Sequence, residues 1–343
     1  MKNLALLAAL VALTGCAGNY KNTFEHPAGA EPVSLHVAPI LNQEELSVQI
    51  VLADSSAATA QYGALGGLIG GIIDASINSK NARKAEIRAE ILRELAADYD
   101  LVNAIEQTTL RIGNDERWKI VTVDKPVSTT KDRATAGEVM DRTEADAVVL
   151  LTASYAMTPA LDQLRADIQQ KVYLKADRKP GKNPSSKKTR FFSYLSPKHP
   201  LNYRGFNDGE KESLMAELDA RYDGLIAAQP DDTEKLEEER ADAIKDLNEA
   251  EEIPEAIAIR EAWSTQLLTN YLNQAVDHLT FMLQEDWRAT AVPEEAVRTA
   301  STFSYVNGST GALVADKGQE IGRRDDNIVY RTQWGNLVSV PAP

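Results

Sequence analysis

Four histidines, a single cysteine and a dense set of carboxylates are the side chains of this 343-residue chain that could do chemistry. His26, His36, His199 and His278 stand far apart, and none has a second ligand at the spacing a zinc site needs. Nucleophilic catalysis would require a serine beside a histidine and an acid. Ser154, Ser193 near His199, and Asp277-His278 are the available parts, but no G-x-S-x-G elbow presents a serine. His278 falls in a helical stretch and is expected to be a surface or half-buried residue satisfied by a hydrogen bond. Glycosidase-type work needs two carboxylates held across a cleft, whereas Glu237-Glu238-Glu239 point around a helix as a solvated face. The run "DDTEKLEEE" lacks the D-x-D-x-D-G order of a calcium loop. Trp263, Trp287 and Trp334 occupy packing positions rather than exposed sugar platforms. No catalytic, cofactor-binding or metal-ligating residue is assigned, and the expectation is a protein that is not an enzyme.

Cys16, the lone thiol, follows a Met1-Lys2-Asn3 start, an apolar run from Leu4 to Leu13, and small residues. That layout is a secretory signal over residues 1–15. The run is too short to span a bilayer, which takes about 20 apolar residues. The tetrapeptide Leu13-Thr14-Gly15-Cys16 resembles the lipobox of bacterial lipoproteins. The resemblance implies cleavage before Cys16, a diacylglycerol thioether on its sulfur and an acyl chain on the new amine. Two or more chains hold a protein durably on a membrane where one does so only marginally. Ala17 rather than Asp follows the cysteine, which by the same resemblance favours the outer membrane. Residues 16–32, with Gly18, Pro27, Gly29 and Pro32 among them, are a lipidated tether.

The formal net charge of −14 argues against nucleic acid as a partner, because phosphates demand clustered Lys and Arg. The charge is unevenly placed. Gly205 to Ala256 holds 18 acidic against 5 basic residues, a balance of −13, while Lys175 to Arg190 holds 7 basic residues against Asp177. The first reads as solvated helices and the second as a loop, with anionic lipid or polysaccharide as a further possibility for the basic one.

The elements that would position these groups follow from periodicity. Val33 to Ile40 alternates and meets Pro39, which predicts a strand near an edge; Leu46 to Asp54 predicts another. Tyr62 to Asn78 carries Gly63, Gly67 and Gly71, with Gly66 and Gly70, at four-residue spacing. On a helix these form bare stripes that let a second backbone approach, a candidate packing or self-association surface. An irregular buried connector is the alternative, and the missing Lys-Ser/Thr ending argues against a phosphate loop. A helix is predicted from Asn81 to about Asp98, a strand at Trp118 to Asp124, a helix at Thr135 to Ala145, a buried strand at Asp146 to Pro159, its antiparallel partner at Leu164 to Ala176, and a strand at Arg190 to Ser196. Leu214 to Ala228 and Thr233 to Glu252 predict a projecting acidic hairpin hinged at Gln229-Pro230-Asp231-Asp232. Ile257 to Trp287 predicts one long helix packed on the sheet, and the tail a β-meander with "NIVYRTQWGNLVSV" as its hairpin.

The fold class is thus α+β: a mixed sheet packed by long helices over residues 33–200 and 257–290, an acidic helical insertion over 201–256 and a C-terminal β-meander over 291–343. "WKIVTVD" and "EADAVVLLTASY" carry an outline resemblance, over Val33 to Ser196 and Ile257 to Trp287, to the α/β domain of envelope lipoproteins. These include the curli-secretion channel subunit, activators of penicillin-binding proteins and the N-terminal domain of the Tol-system β-propeller protein. The acidic insertion and the Gly-rich segment depart from that outline. The functional expectation is a scaffold on the outer membrane through the acyl chains of Cys16, binding an envelope protein or a second copy of itself. A wall- or glycan-acting enzyme is the alternative.

Overall fold

The computed structural model describes residues 31–42, 45–48, 79–114, 117–129, 132–179, 182–288, 301–306, 313–332 and 335–343. Cys16, the glycines at 63, 66, 67, 70 and 71, and Trp334 lie outside the described residues.

A continuous mixed sheet organises these residues, in the order β3-β1-β5-β6-β7-β11-β10-β9-β8, with short β2 on β5 and short β4 on β1. Its centre is β5 (Ala147–Met157), buried at every position, as expected for an apolar run covered on both faces. β6 (Leu164–Leu174) pairs antiparallel with it across eleven residues, and β7 (Lys188–Leu195) follows antiparallel to β6. On the other side β1 (Val33–Leu41) runs parallel to β5 and to the edge strand β3 (Trp118–Val123). β1 is therefore one strand in from the edge, near it as Pro39 suggested but not itself the edge strand. Asp124 N donates to Val37 O, so odd positions of β1 face β3. The missing N–H of Pro39 falls in the gap after β3 ends and before β4 (Val127–Ser128) begins at Ile40. Of the strand expected from Leu46 to Asp54, the described part is β2 (Ser47–Val48).

Helices α1 (Ser79–Leu95), α2 (Leu101–Leu110), α6 (Glu255–Ala262) and α7 (Thr265–Arg288) cover one face. Sequence periodicity passed over α2, although Asp100 caps it by accepting from Asn103 N at 2.9 Å. The long helix expected from Ile257 to Trp287 is instead two. Trp263, at the end of α6, takes an extended backbone (φ −122°, ψ 101°), its ring is fully buried, and its indole N–H donates to Leu161 O at 2.7 Å. Ser264 then caps α7 by accepting from Leu267 N at 3.2 Å. α7 buries Leu268, Leu272, Ala275, Leu279, Met282 and Leu283 on the sheet, each large side chain contributing about 1.5 to 3 kcal/mol. At its C-terminal end Asp286 accepts from Lys188 Nζ at 2.5 Å, with Arg190 Nε at 3.7 Å and Arg331 Nη1 at 3.8 Å. This buried ionic knot ties α7 to β7 and β10.

The other face is covered at one end by α3 (Asp132–Arg142), through Ala136, Val139 and Met140 on Ala38, Ile40, Val148, Leu150 and Tyr173. At the other end the meander covers it. β11 (Leu337–Pro341) joins the central sheet by pairing parallel to β7, and β10 (Asn327–Thr332) and β9 (Leu313–Arg324) continue it antiparallel. β9 overshoots β10: its first half, Leu313 to Gly318, pairs with β8 (Ser301–Val306). The hairpin of β8 with Leu313 to Gly318 of β9 folds back as a flap, stacking Phe303 on Tyr330 at 4.4 Å and closing a cluster with Leu195, Ile328, Val338 and Val340. A Cβ on Gly318 would sit 2.8 Å from the Phe303 ring, 3.1 Å from Arg331 O and 3.1 Å from Tyr330 Cβ, so only glycine permits the fold-back.

Between Arg204 and Ile253 the chain leaves this platform as two antiparallel helices, α4 (Glu210–Ala228) and α5 (Thr233–Glu249), hinged at Pro230–Asp232. The α+β class, the acidic helical hairpin and the C-terminal meander are all present.

Candidate functional site

Three places in the described residues are candidates for a functional site: the arm, a Ser-His-Asp chain under α7, and a cleft under the flap.

The arm is built to stand away from the sheet. α4 buries no residue and α5 buries only Leu236 and Leu247, so their apolar side chains serve the contact between the two helices. Of the eighteen carboxylates between Gly205 and Ala256, all but Glu210, Asp219 and Glu255 are exposed. Arg240 crosses between the helices to Asp219 Oδ1 at 2.6 Å and Asp223 Oδ1 at 3.0 Å. The base is fixed more firmly. Gly205 and Glu252 form an antiparallel bridge, Ile253 N donates to Arg204 O at 2.9 Å, and Lys211 Nζ donates to the terminal carbonyls of Asn248 and Ala250 at 2.9 Å each. Arg204 holds Glu210 in a fork at 2.7 and 2.8 Å and also binds Glu261 of α6. The guanidinium, with the N–H of Asn207, holds the Glu210 carboxyl down to about 2. The oppositely charged loop from Lys175 to Arg190 is largely neutralised within the chain. Arg178 meets Asp141 at 2.8 Å, Lys187 meets Asp177 at 3.1 Å, and Lys188 belongs to the Asp286 knot.

The Ser-His-Asp chain does not use the serines the sequence offered. Ser339 Oγ lies 2.9 Å from His278 Nδ1, and His278 Nε2 lies 3.2 Å from Asp325 Oδ2. The Asp325 carboxylate can only accept, so the histidine donates from Nε2, and Nδ1 of the neutral ring accepts from the Ser339 hydroxyl, which itself accepts from Asn327 Nδ2 at 3.1 Å. His278 is fully buried rather than on the surface, and Ser339 is fully buried beside it. With Ser339 enclosed between β11 and α7, this order of groups has no room for a substrate; it joins α7 to the β9–β10 turn. Burial pushes the His278 pKa down, against the opposing pull of Asp325. The other candidates are dispersed. Ser193 Oγ donates to Asp167 Oδ1 at 2.5 Å beneath Arg165, which donates to Asp167 Oδ2 at 2.6 Å. Ser154 is buried on β5 beside Asp167 in the sheet register. His199 Nε2 meets Tyr271 OH at 2.7 Å, and His36 Nε2 lies 3.0 Å from Asp124. Among the described residues no group of three His, Cys, Asp or Glu could hold a metal, and no helix is long and apolar enough to cross a membrane.

The cleft has a volume of about 400 Å³ and is lined by Gln163, Leu195, Pro197, Lys198, Val340, Pro341 and Ala342, with Ser304 and Tyr305 of the flap opposite. Burial, assisted by Asp316, pushes the Tyr305 phenol up, so it stays protonated across the physiological range. Sequence reasoning missed this site because its walls meet only through the fold-back at Gly318. Comparison with models of protein families, with curated proteins and with solved structures finds no match.

Proposed function

We propose that this chain is an acyl-anchored lipoprotein of the outer membrane that acts as a non-enzymatic scaffold, presenting the acidic arm to an envelope protein or to a second copy of itself. The arm carries the reading. A helical pair that buries almost nothing against its own domain, yet is clamped at its base by Arg204 and Lys211, gains nothing for the stability of the sheet. A rigid, strongly charged projection suits the steering and orientation of a partner of opposite charge. The anchor half of the proposal rests on Leu13-Thr14-Gly15-Cys16 and Ala17. It is tested by growing the native host with a palmitate analogue. The intact chain should take up the label and fractionate with the outer membrane, and Cys16→Ser should do neither; an unlabelled intact chain would overturn the anchor.

A further inference from the structure

We propose that the cleft beneath the β8 flap binds a single-chain amphiphile with an anionic head, the chemistry of a fatty acid or a lysophospholipid. Its volume of about 400 Å³ lies within the roughly 300 to 1,000 Å³ of small-molecule sites. The walls are apolar: Leu195, Pro197, Val340, Pro341 and Ala342, continuous through Leu195 and Val340 with the cluster around Phe303 and Tyr330. The side chain of Gln163 and the backbone around Ser196 and Ala342 already have partners. Gln163 Nε2 donates to Ser196 O at 2.8 Å, Ser196 N to Leu164 O at 2.9 Å, and Ala342 N to Asp326 O at 2.7 Å. A ligand rich in amides would therefore find little to pair with inside, whereas methylenes lose nothing by entering.

The rim differs. Lys198 is largely exposed, and its ammonium stands 3.8 Å from Asp162, beyond direct hydrogen-bond distance. Asp162 in turn already accepts from Thr158 Oγ1 at 2.7 Å. Lys198 thus has donors to offer, and the Tyr305 hydroxyl makes no hydrogen bond among the described residues. Lys198 and Tyr305 are one cation and one phenol lining an otherwise apolar slot, and they match a carboxylate or phosphate at the end of an acyl chain. This inference does not rest on the anchor or the arm, and its failure would leave both standing.

The test uses the full chain carrying Cys16→Ser, which removes competition from an acyl chain on Cys16, titrated with the fluorescent fatty acid cis-parinaric acid. Saturable binding at one site per chain is expected. Ala342→Trp, at an exposed rim position, should abolish it while leaving the circular dichroism spectrum and melting temperature unchanged. Lys198→Ala should weaken the acid by up to about fivefold, the range of an exposed charge pair, and leave the methyl ester unaffected. Lysophosphatidylglycerol as competitor separates the two head groups: displacement of parinarate extends the site to lysophospholipids, and none restricts it to fatty acids. Non-saturable binding, unchanged binding in Ala342→Trp, or equal loss of acid and ester in Lys198→Ala would overturn the proposal. So would displacement of the probe by an apolar peptide but not by palmitate.

Discussion

At the residue scale, His278 shows how a group with catalytic potential can be spent on structure. Its two ring nitrogens are taken by Ser339 and Asp325, and burial outweighs the attraction of Asp325 and Asp277, with Arg324 adding to the downward shift. A histidine whose native pKa is lowered is protonated more readily in the unfolded chain, so stability is lost as pH falls below the unfolded value of about 6.5. His199, also lowered by burial, acts in the same direction. The urea midpoint of the intact chain should therefore decrease between pH 7.5 and pH 5, and His278→Gln should show a shallower decrease. Parallel curves for the two proteins would exclude His278 as a contributor. Asp325 also takes φ +48° in its turn, where glycine or asparagine is the usual occupant, and its carboxylate meets the ring of His278. Sequence alone named His278 and its helix. It could not give its depth or its partners, because Ser339 and Asp325 lie 61 and 47 residues away.

At the element scale, the regular parts were legible and the joints were not. The strands at Trp118, Asp146, Leu164 and Arg190, the hairpin hinge at Pro230 and the tail meander follow from alternation and turn residues, and the structure has each of them. The break at Trp263 and Ser264 was hidden because the apolar stripe continues through it. A buried indole bonded to Leu161 O overrode helix propensity, and the only local signal was the capping serine. The flap was hidden for a similar reason: Gly318 looks like an ordinary turn glycine. Gly318→Ala should destabilise the protein by about 1 to 3 kcal/mol through overpacking, because two of the three contacts its Cβ would meet are backbone or Cβ atoms that cannot swing aside. Chemical denaturation measures this; a change below 0.5 kcal/mol, within the range of a neutral surface substitution, would show that the flap does not need the fold-back.

For the whole molecule, the sheet runs unbroken from β3 to β8 and binds the N-terminal strands, the long helices and the meander into one body, while the acidic helices leave it through the bridge between Gly205 and Glu252. Charge placement made the arm legible from sequence, since eighteen carboxylates with few apolar residues cannot form a buried layer. Its partner is not legible, since charge alone gives the sign of a surface and not the shape of what meets it. The most direct test of the arm as the docking element is photo-crosslinking in the native envelope, with a photoreactive amino acid at exposed Glu238 on α5 and, as control, at exposed Arg323 on β9. A discrete adduct from position 238 that is absent from position 323, with an envelope protein or a second copy of this chain, is the predicted result. No adduct from position 238, or the same adducts from both positions, would contradict it.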